Sequence, residues 1–303
     1  WRLYQISKSA LAPDHAYASF GSGNQETLAV ANIRDILVEF YEKHYLKSLS
    51  LYKLVVLGKE SLDELDLLVH RYFDELAQAL EPQSLPRDEL LPQLFPPITN
   101  WQVPQRLHIV PVSPTHSIEL QFPMPSQMAY WQSKPTRYLS HLLGHEGTGS
   151  LLSLLKQKNY ALSLYADDSS RSCIPWNIFT IRMDLTDLGL QNVEEVVQIF
   201  FSYVELLKSR GPQAWIQQEL QTVGDLQFRF LSQRNPMEYT CSVVGWMHLY
   251  PPAHYLSGPY TVSQWNPEAV TECLQSLHPD NVLWMLCSPS FALENAQTEP
   301  WYK

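Results

Sequence analysis

The residues in this chain best suited to chemistry are His141 and His145, separated by Leu142, Leu143 and Gly144 and followed by Glu146, Gly147, Thr148, Gly149 and Ser150. Two histidines four positions apart share one face of an α-helix, a geometry that can hold a metal ion. Hydrolysis at such a metal also needs a carboxylate between the histidines to polarise the attacking water, as in the inverted zinc motif His-x-x-Glu-His. Gly144 stands in that position. Glu146 follows His145 directly and would point about 100° away around a helix. The order His-Glu-x-x-His fails too, because Gly149 occupies the place of its second histidine. The stretch reads as a metal-type helix without its chemistry. His145 is expected as a satisfied polar group near the core, and His141 as a residue facing a cleft.

Other constellations are weaker. Gly144 and Gly149 have the spacing of a phosphate loop, but Ser150 and Leu151 replace its Lys-Ser/Thr and no strand precedes the segment, so nucleotide binding is rejected. Asp167 and Asp168 form an acidic pair in a serine-rich loop, which reads as solvated surface. Tyr160, Trp176, Phe179, Phe200, Phe201 and Tyr203 fall at strand or helix core spacing and are assigned to packing.

The elements that position these residues follow from periodicity and punctuation. Pro135 starts the histidine helix, the glycines at 147 and 149 interrupt it, and Ser150 to Lys158 resumes as helix. Strands are expected over 107–112, 118–122, 160–165, 178–185 and 282–287. Helices are expected over 193–209, stopped by Gly211, and from Pro212 to about Phe230. Another follows Asn266-Pro267-Glu268, an N-cap with proline at the first helical position. Earlier in the chain, Ile33, Ile36, Leu37, Phe40 and Tyr41 mark a helix to about His44. Leu51 to Leu57 reads as a strand ended by Gly58, and Ser61 with Glu64 forms a capping box for a helix to about Leu80. That strand has no partner nearby, so its sheet must be completed elsewhere. Six prolines between Glu81 and Pro104 have the composition of a linker. The expected division is therefore 1–81, a linker over 82–105, and 106–303. Helix then strand at 33–57 recurs in the same order at 268–287, which suggests two copies of one fold. Trp1 opens the chain without methionine, and we read it as a fragment.

Composition narrows the function class. With 303 residues, 45% apolar and 17% charged, the chain can bury a large core. A net charge of −10 argues against nucleic acid as a partner and suits a neutral or basic peptide. No apolar run reaches the roughly 20 residues needed to cross a bilayer, so no membrane partner is expected. Cys173, Cys241, Cys273 and Cys287 lack CxxC spacing and read as free thiols of a reducing, cytoplasmic compartment.

At this point the residues resemble a family. Trp1-Arg2-Leu3-Tyr4-Gln5, Phe20-Gly21-Ser22-Gly23-Asn24, Thr27-Leu28, Val56 to Asp63, His141 to Leu152, Gly211-Pro212-Gln213 and Trp301-Tyr302 are similar to the insulin-degrading enzyme and nardilysin branch of the pitrilysin zinc peptidases. The resemblance implies an α+β fold of mixed sheets covered by helices, like pitrilysin and the mitochondrial processing peptidases, with one partial domain and one nearly complete domain. It implies that the zinc ligands of the full-length family precede Trp1, so that this chain carries no cofactor of its own and is inactive alone. The missing N-terminal segment and the C-terminal half of the family's chain would then be its partners. It also assigns to the second domain a surface that holds the N-terminal end of a peptide substrate by pairing with an edge strand. Carried over by position, His141, Gly144 and Glu146 fall on the helix side of that surface, and Leu164, Tyr165, Ala166 and Asp168 on its strand. Arg137 and Ser140 replace a histidine and a glycine of the family pattern, and Ala166-Asp167 replaces a glycine pair. Three functions follow: a non-catalytic, peptide-binding part of a zinc metalloendopeptidase, a motif-less scaffold subunit, or an autonomous hydrolase using His141. The absence of His-x-x-Glu-His argues against the third.

Overall fold

The computed structural model describes residues 2–11, 15–46, 51–78, 105–167, 176–291 and 296–302. Its helices are α1 (Arg2–Ser9), α2 (Gln25–Leu28), α3 (Ile33–His44), α4 (Leu62–Gln78), α5 (Pro135–Leu143), α6 (Leu151–Gln157), α7 (Asp187–Gln191), α8 (Val193–Arg210), α9 (Ala214–Arg229), α10 (Pro236–Trp246) and α11 (Pro267–Ser276). Its strands are β1 (Gln105–Ile109), β2 (Ser117–Pro125), β3 (Ala161–Asp167), β4 (Trp176–Leu185) and β5 (Leu283–Cys287). The described residues of 1–20, 91–224 and 262–303 form one compact unit, and those of 21–90 and 225–261 form another.

The first unit is built on one sheet in the order β1-β5-β2-β4-β3, with β1 parallel to β5 and the remaining neighbours antiparallel. Alternation decides what each face meets. Ile118, Leu120 and Phe122 of β2, with Phe179, Ile181 and Met183 of β4, point to a helical layer that supplies Tyr138, Leu139, Leu152, Leu155, Phe200 and Val204. On the opposite face Ile178, Leu283, Met285 and Cys287 are buried with Ala10, Leu11 and Tyr17. The described residues among the first twenty therefore pack on the sheet of this unit, a placement that the sequence division at 82–105 does not anticipate. Residues 79–104, which include most of the expected linker, lie outside the described residues.

Caps fix several helix ends as the residue types require. Ser150 Oγ accepts from Ser153 N–H at 3.1 Å, and Asn266 Oδ1 accepts from Ala269 N–H at 3.0 Å. Gly211 takes a φ of 67° to close α8. Ser61 and Glu64 exchange the two bonds of a capping box at the start of α4.

In the second unit the expected strand over 51–57 does not form. Residues 52–57 pair with no strand among the described residues, because a β-run without a neighbouring ladder has nothing to satisfy its backbone groups. The helix–strand repeat is therefore complete only at 267–287. No residue of α3 or α4 is buried, and Leu37, Phe40, Tyr41, Leu67 and Tyr72 are exposed. α10, which sequence periodicity does not predict, opens on Asn235-Pro236, with Asn235 Oδ1 accepting from Met237 N–H at 3.0 Å. No helix among the described residues is long and apolar enough to cross a membrane.

Candidate functional site

The histidine segment sits against the edge of the sheet. β3 is the last strand in the order, so its outer backbone edge pairs with no strand among the described residues. α5 begins at Lys134, which adopts a left-handed conformation with φ 45° and ψ 61° as N-cap, followed by Pro135 at the first position. Tyr138 anchors the helix. Its ring is buried, and its hydroxyl oxygen accepts the Gln213 N–H at 2.9 Å, fixing α5 to the turn between α8 and α9.

The helix stops sooner than its spacing predicts. α5 ends at Leu143, and Gly144 is its C-cap, with its N–H donating to Ser140 O at 2.9 Å. Gly144, and not the glycines at 147 and 149, makes the break. His145 consequently leaves the helix, and the shared histidine face does not exist. The two rings lie 6.1 Å apart at 76°. His145 is exposed and its Nδ1 accepts from Gly147 N–H at 3.0 Å, so it is a loop residue and not the expected polar group near the core.

These residues do not fit zinc. Nδ1 of His145 is already engaged, and no group of three His, Cys, Asp or Glu among the described residues could hold a metal ion. Cys273 and Cys287 are buried and form no disulfide among the described residues, and burial pushes the Cys287 thiol up to about 11, which makes it a packing group. Cys241 is free and exposed, and Cys173 lies outside the described residues.

The strand side of the expected surface lies within the described residues up to Asp167. Leu164 faces the core at 2% exposure, Tyr165 is 62% exposed, and Ala166 is half-buried beside Gly144. Asp168 lies outside the described residues. His141 is half-buried and Glu146 exposed. The structure thus brings Gly144 against Ala166, holds Leu164 in the core, and leaves Tyr165 and Glu146 in solvent. Leu162, 63% exposed on the same strand, joins this surface. Alternation with Leu164 could not reveal it, because a bulge between Ala161 and Ser163 breaks the register.

Lys134 is a further residue that sequence reasoning missed. Burial, with a smaller contribution from Arg137, pushes its amine down to about 7. Its position directly before a proline is a sequence signal for unusual backbone, though not for burial. A separate network holds the start of β3. Glu195 accepts from Lys158 Nζ at 2.8 Å and from the Tyr160 hydroxyl at 2.6 Å, and these two donors hold its carboxyl below the usual range.

The sheet, its two covered faces and the helix abutting the edge strand form one α+β domain. Residues 32–223 match the family model described as the peptidase M16 inactive domain, and residues 228–303 match the one described as the middle or third domain of peptidase M16. The chain belongs to the peptidase M16 family, the pitrilysin or insulinase group of zinc metallopeptidases. It falls in the branch of insulin-degrading enzyme and nardilysin. It is 35% identical over 310 residues to insulin-degrading enzyme of Bos taurus, covering all of this chain and 29% of that protein. It is 31% identical to a nardilysin-like protein of Arabidopsis thaliana, with 99% and 29% covered. The crystal structure of pitrilysin superposes with a TM-score of 0.85 at 25% identity, over 99% of this chain and 31% of that one. The chain therefore spans about three-tenths of the length of these relatives.

Proposed function

We propose that this chain is a non-catalytic, peptide-holding part of a zinc metalloendopeptidase. Residues 1–81 would be the later part of a first peptidase-like domain, and 106–303 most of a second. The observation that carries the reading is the open edge of β3 with Gly144 packed against Ala166, which sets the end of the histidine helix beside a strand able to accept another. An extended peptide adding to that edge would gain backbone hydrogen bonds that tolerate many sequences. Tyr165 and Leu162 are exposed on that strand as side-chain contacts, Glu146 would face the peptide's N-terminal amine, and His141 would flank the groove. Zinc and the rest of the active centre would come from other parts of the family's chain. Buried reduced thiols at Cys273 and Cys287 suit a cytoplasmic setting.

Backbone pairing offsets the ordering of the peptide, so micromolar affinity is the ceiling, about −8 kcal/mol. The test titrates a peptide with a free or acetylated N-terminus against wild type and Glu146→Gln. Acetylation and substitution should each weaken binding, and their effects should not add. Equal affinity in all four combinations overturns the reading.

A motif-less scaffold role is the second reading, favoured by the exposed apolar residues of α3 and α4, which a partner would cover. Sedimentation showing a stable monomer at high concentration counts against it.

A further inference from the structure

The second compact unit holds a pocket of about 270 Å³ that the peptide-holding edge does not involve. Its walls are mostly apolar, with aromatic rings on one side. Phe228 near the end of α9 stacks on Tyr260 at 6.0 Å, and Trp246 at the end of α10 meets the same ring edge-on at 6.0 Å. Tyr239, Leu57, Leu231, Leu256 and Pro236 complete the apolar lining, and Ser232 and Gln233 add two neutral polar side chains. Arg234 is the one charged residue among the described residues that line the pocket, and its guanidinium lies 5.9 Å from the Tyr260 ring centroid. The Asn235 cap and Pro236 start α10 directly after it, so Arg234 belongs to the tight connection between α9 and α10.

These features select a ligand by elimination. Aromatic walls take an apolar body or a cation, and the fixed positive charge of Arg234 disfavours a cation. A single guanidinium presents a fork that matches one carboxylate and balances one negative charge, whereas a phosphate would leave charge uncompensated. The volume lies just under the usual range of roughly 300–1,000 Å³ for ligand pockets, which suits one amino-acid-sized group and excludes a nucleotide or a long lipid chain. We propose that this pocket binds an apolar residue bearing a free carboxylate, of the size of an aromatic amino acid. The source is an N-blocked amino acid or the C-terminal residue of a peptide.

The test uses the whole chain and ligand-observed NMR titration of N-acetylphenylalanine and its carboxamide. The acid should bind about tenfold more tightly than the amide, the difference expected for a charge-assisted pair. Arg234→Gln should bring the acid down to the level of the amide without changing the amide. Arg234→Lys, which keeps the charge and loses the fork, should give an intermediate value. Arg234 is exposed, so both variants should keep the wild-type circular dichroism spectrum. An N-acetylated tripeptide ending in phenylalanine separates the two sources: binding at least as tight as the single residue assigns the pocket to peptide ends, and its exclusion assigns it to free amino-acid derivatives. Equal binding of acid and amide, an acid affinity unmoved by Arg234→Gln, or no saturable binding of either compound would overturn the proposal.

Discussion

Gly144 lies against Ala166. A methyl group placed on Gly144 would stand 3.7 Å from the Ala166 Cβ and 2.8 Å from the Ser140 carbonyl oxygen. The contact with Ala166 is ordinary van der Waals packing, but the contact with Ser140 is too close for any Cβ, so the last turn of α5 keeps this geometry only because residue 144 is glycine.

Gly144→Ala should therefore shift the last turn of α5 and cost about 1–2 kcal/mol. If β3 is the peptide edge, the same variant should weaken peptide binding more than it lowers the unfolding midpoint. Urea titration and peptide titration on the same preparation check this, and a variant with wild-type values in both would show that the contact is soft.

Gly189 makes a harder demand. A Cβ there would fall 1.9 Å from the Tyr160 carbonyl oxygen, which also accepts the Thr186 N–H at 3.1 Å. Gly189→Ala should push α7 away from the start of β3 and cost about 2–3 kcal/mol. Denaturant unfolding measures the loss, and hydrogen exchange should report faster opening of Ala161 and its neighbours.

Tyr138 supplies a polar anchor inside the core. Tyr138→Phe keeps the packing but leaves the Gln213 N–H without its acceptor at 2.9 Å, so it should cost about 1–2 kcal/mol. A midpoint unchanged from wild type would mean that water replaces the hydroxyl.

Lys134 gives the chain a pH dependence with a defined sign. Its folded value of about 7 lies below the unfolded value, so between about pH 7 and pH 10 the unfolded state holds a proton that the folded state has lost. Stability should rise with pH across that window, and below it the charge on this half-buried amine costs stability in full. In Lys134→Met that rise should be missing, so the wild-type curve should gain on the variant curve as pH increases. Unfolding at several pH values tests this, and parallel curves would refute it.

Much of this architecture was legible in the chain because it rests on local rules. Apolar spacing with caps at Ser61, Ser150 and Asn266 placed α4, α6 and α11. Alternation placed β2 and β4, and the motif residues carried the family. α10 was missed although Asn235-Pro236 has the same form as Asn266-Pro267, because its residues do not repeat an apolar face. Three features depended on residues far apart in sequence. Residues 52–57 have strand composition, yet a strand exists only where another backbone lies alongside. The early end of α5 falls at Gly144, which lies beside Ala166 of the distant strand, and helical spacing alone wrongly joined His141 to His145. The packing of Ala10, Leu11 and Tyr17 on the far face of the sheet, like the depressed Lys134 amine, follows from burial, which no local pattern encodes because it is set by what the rest of the chain places around a residue.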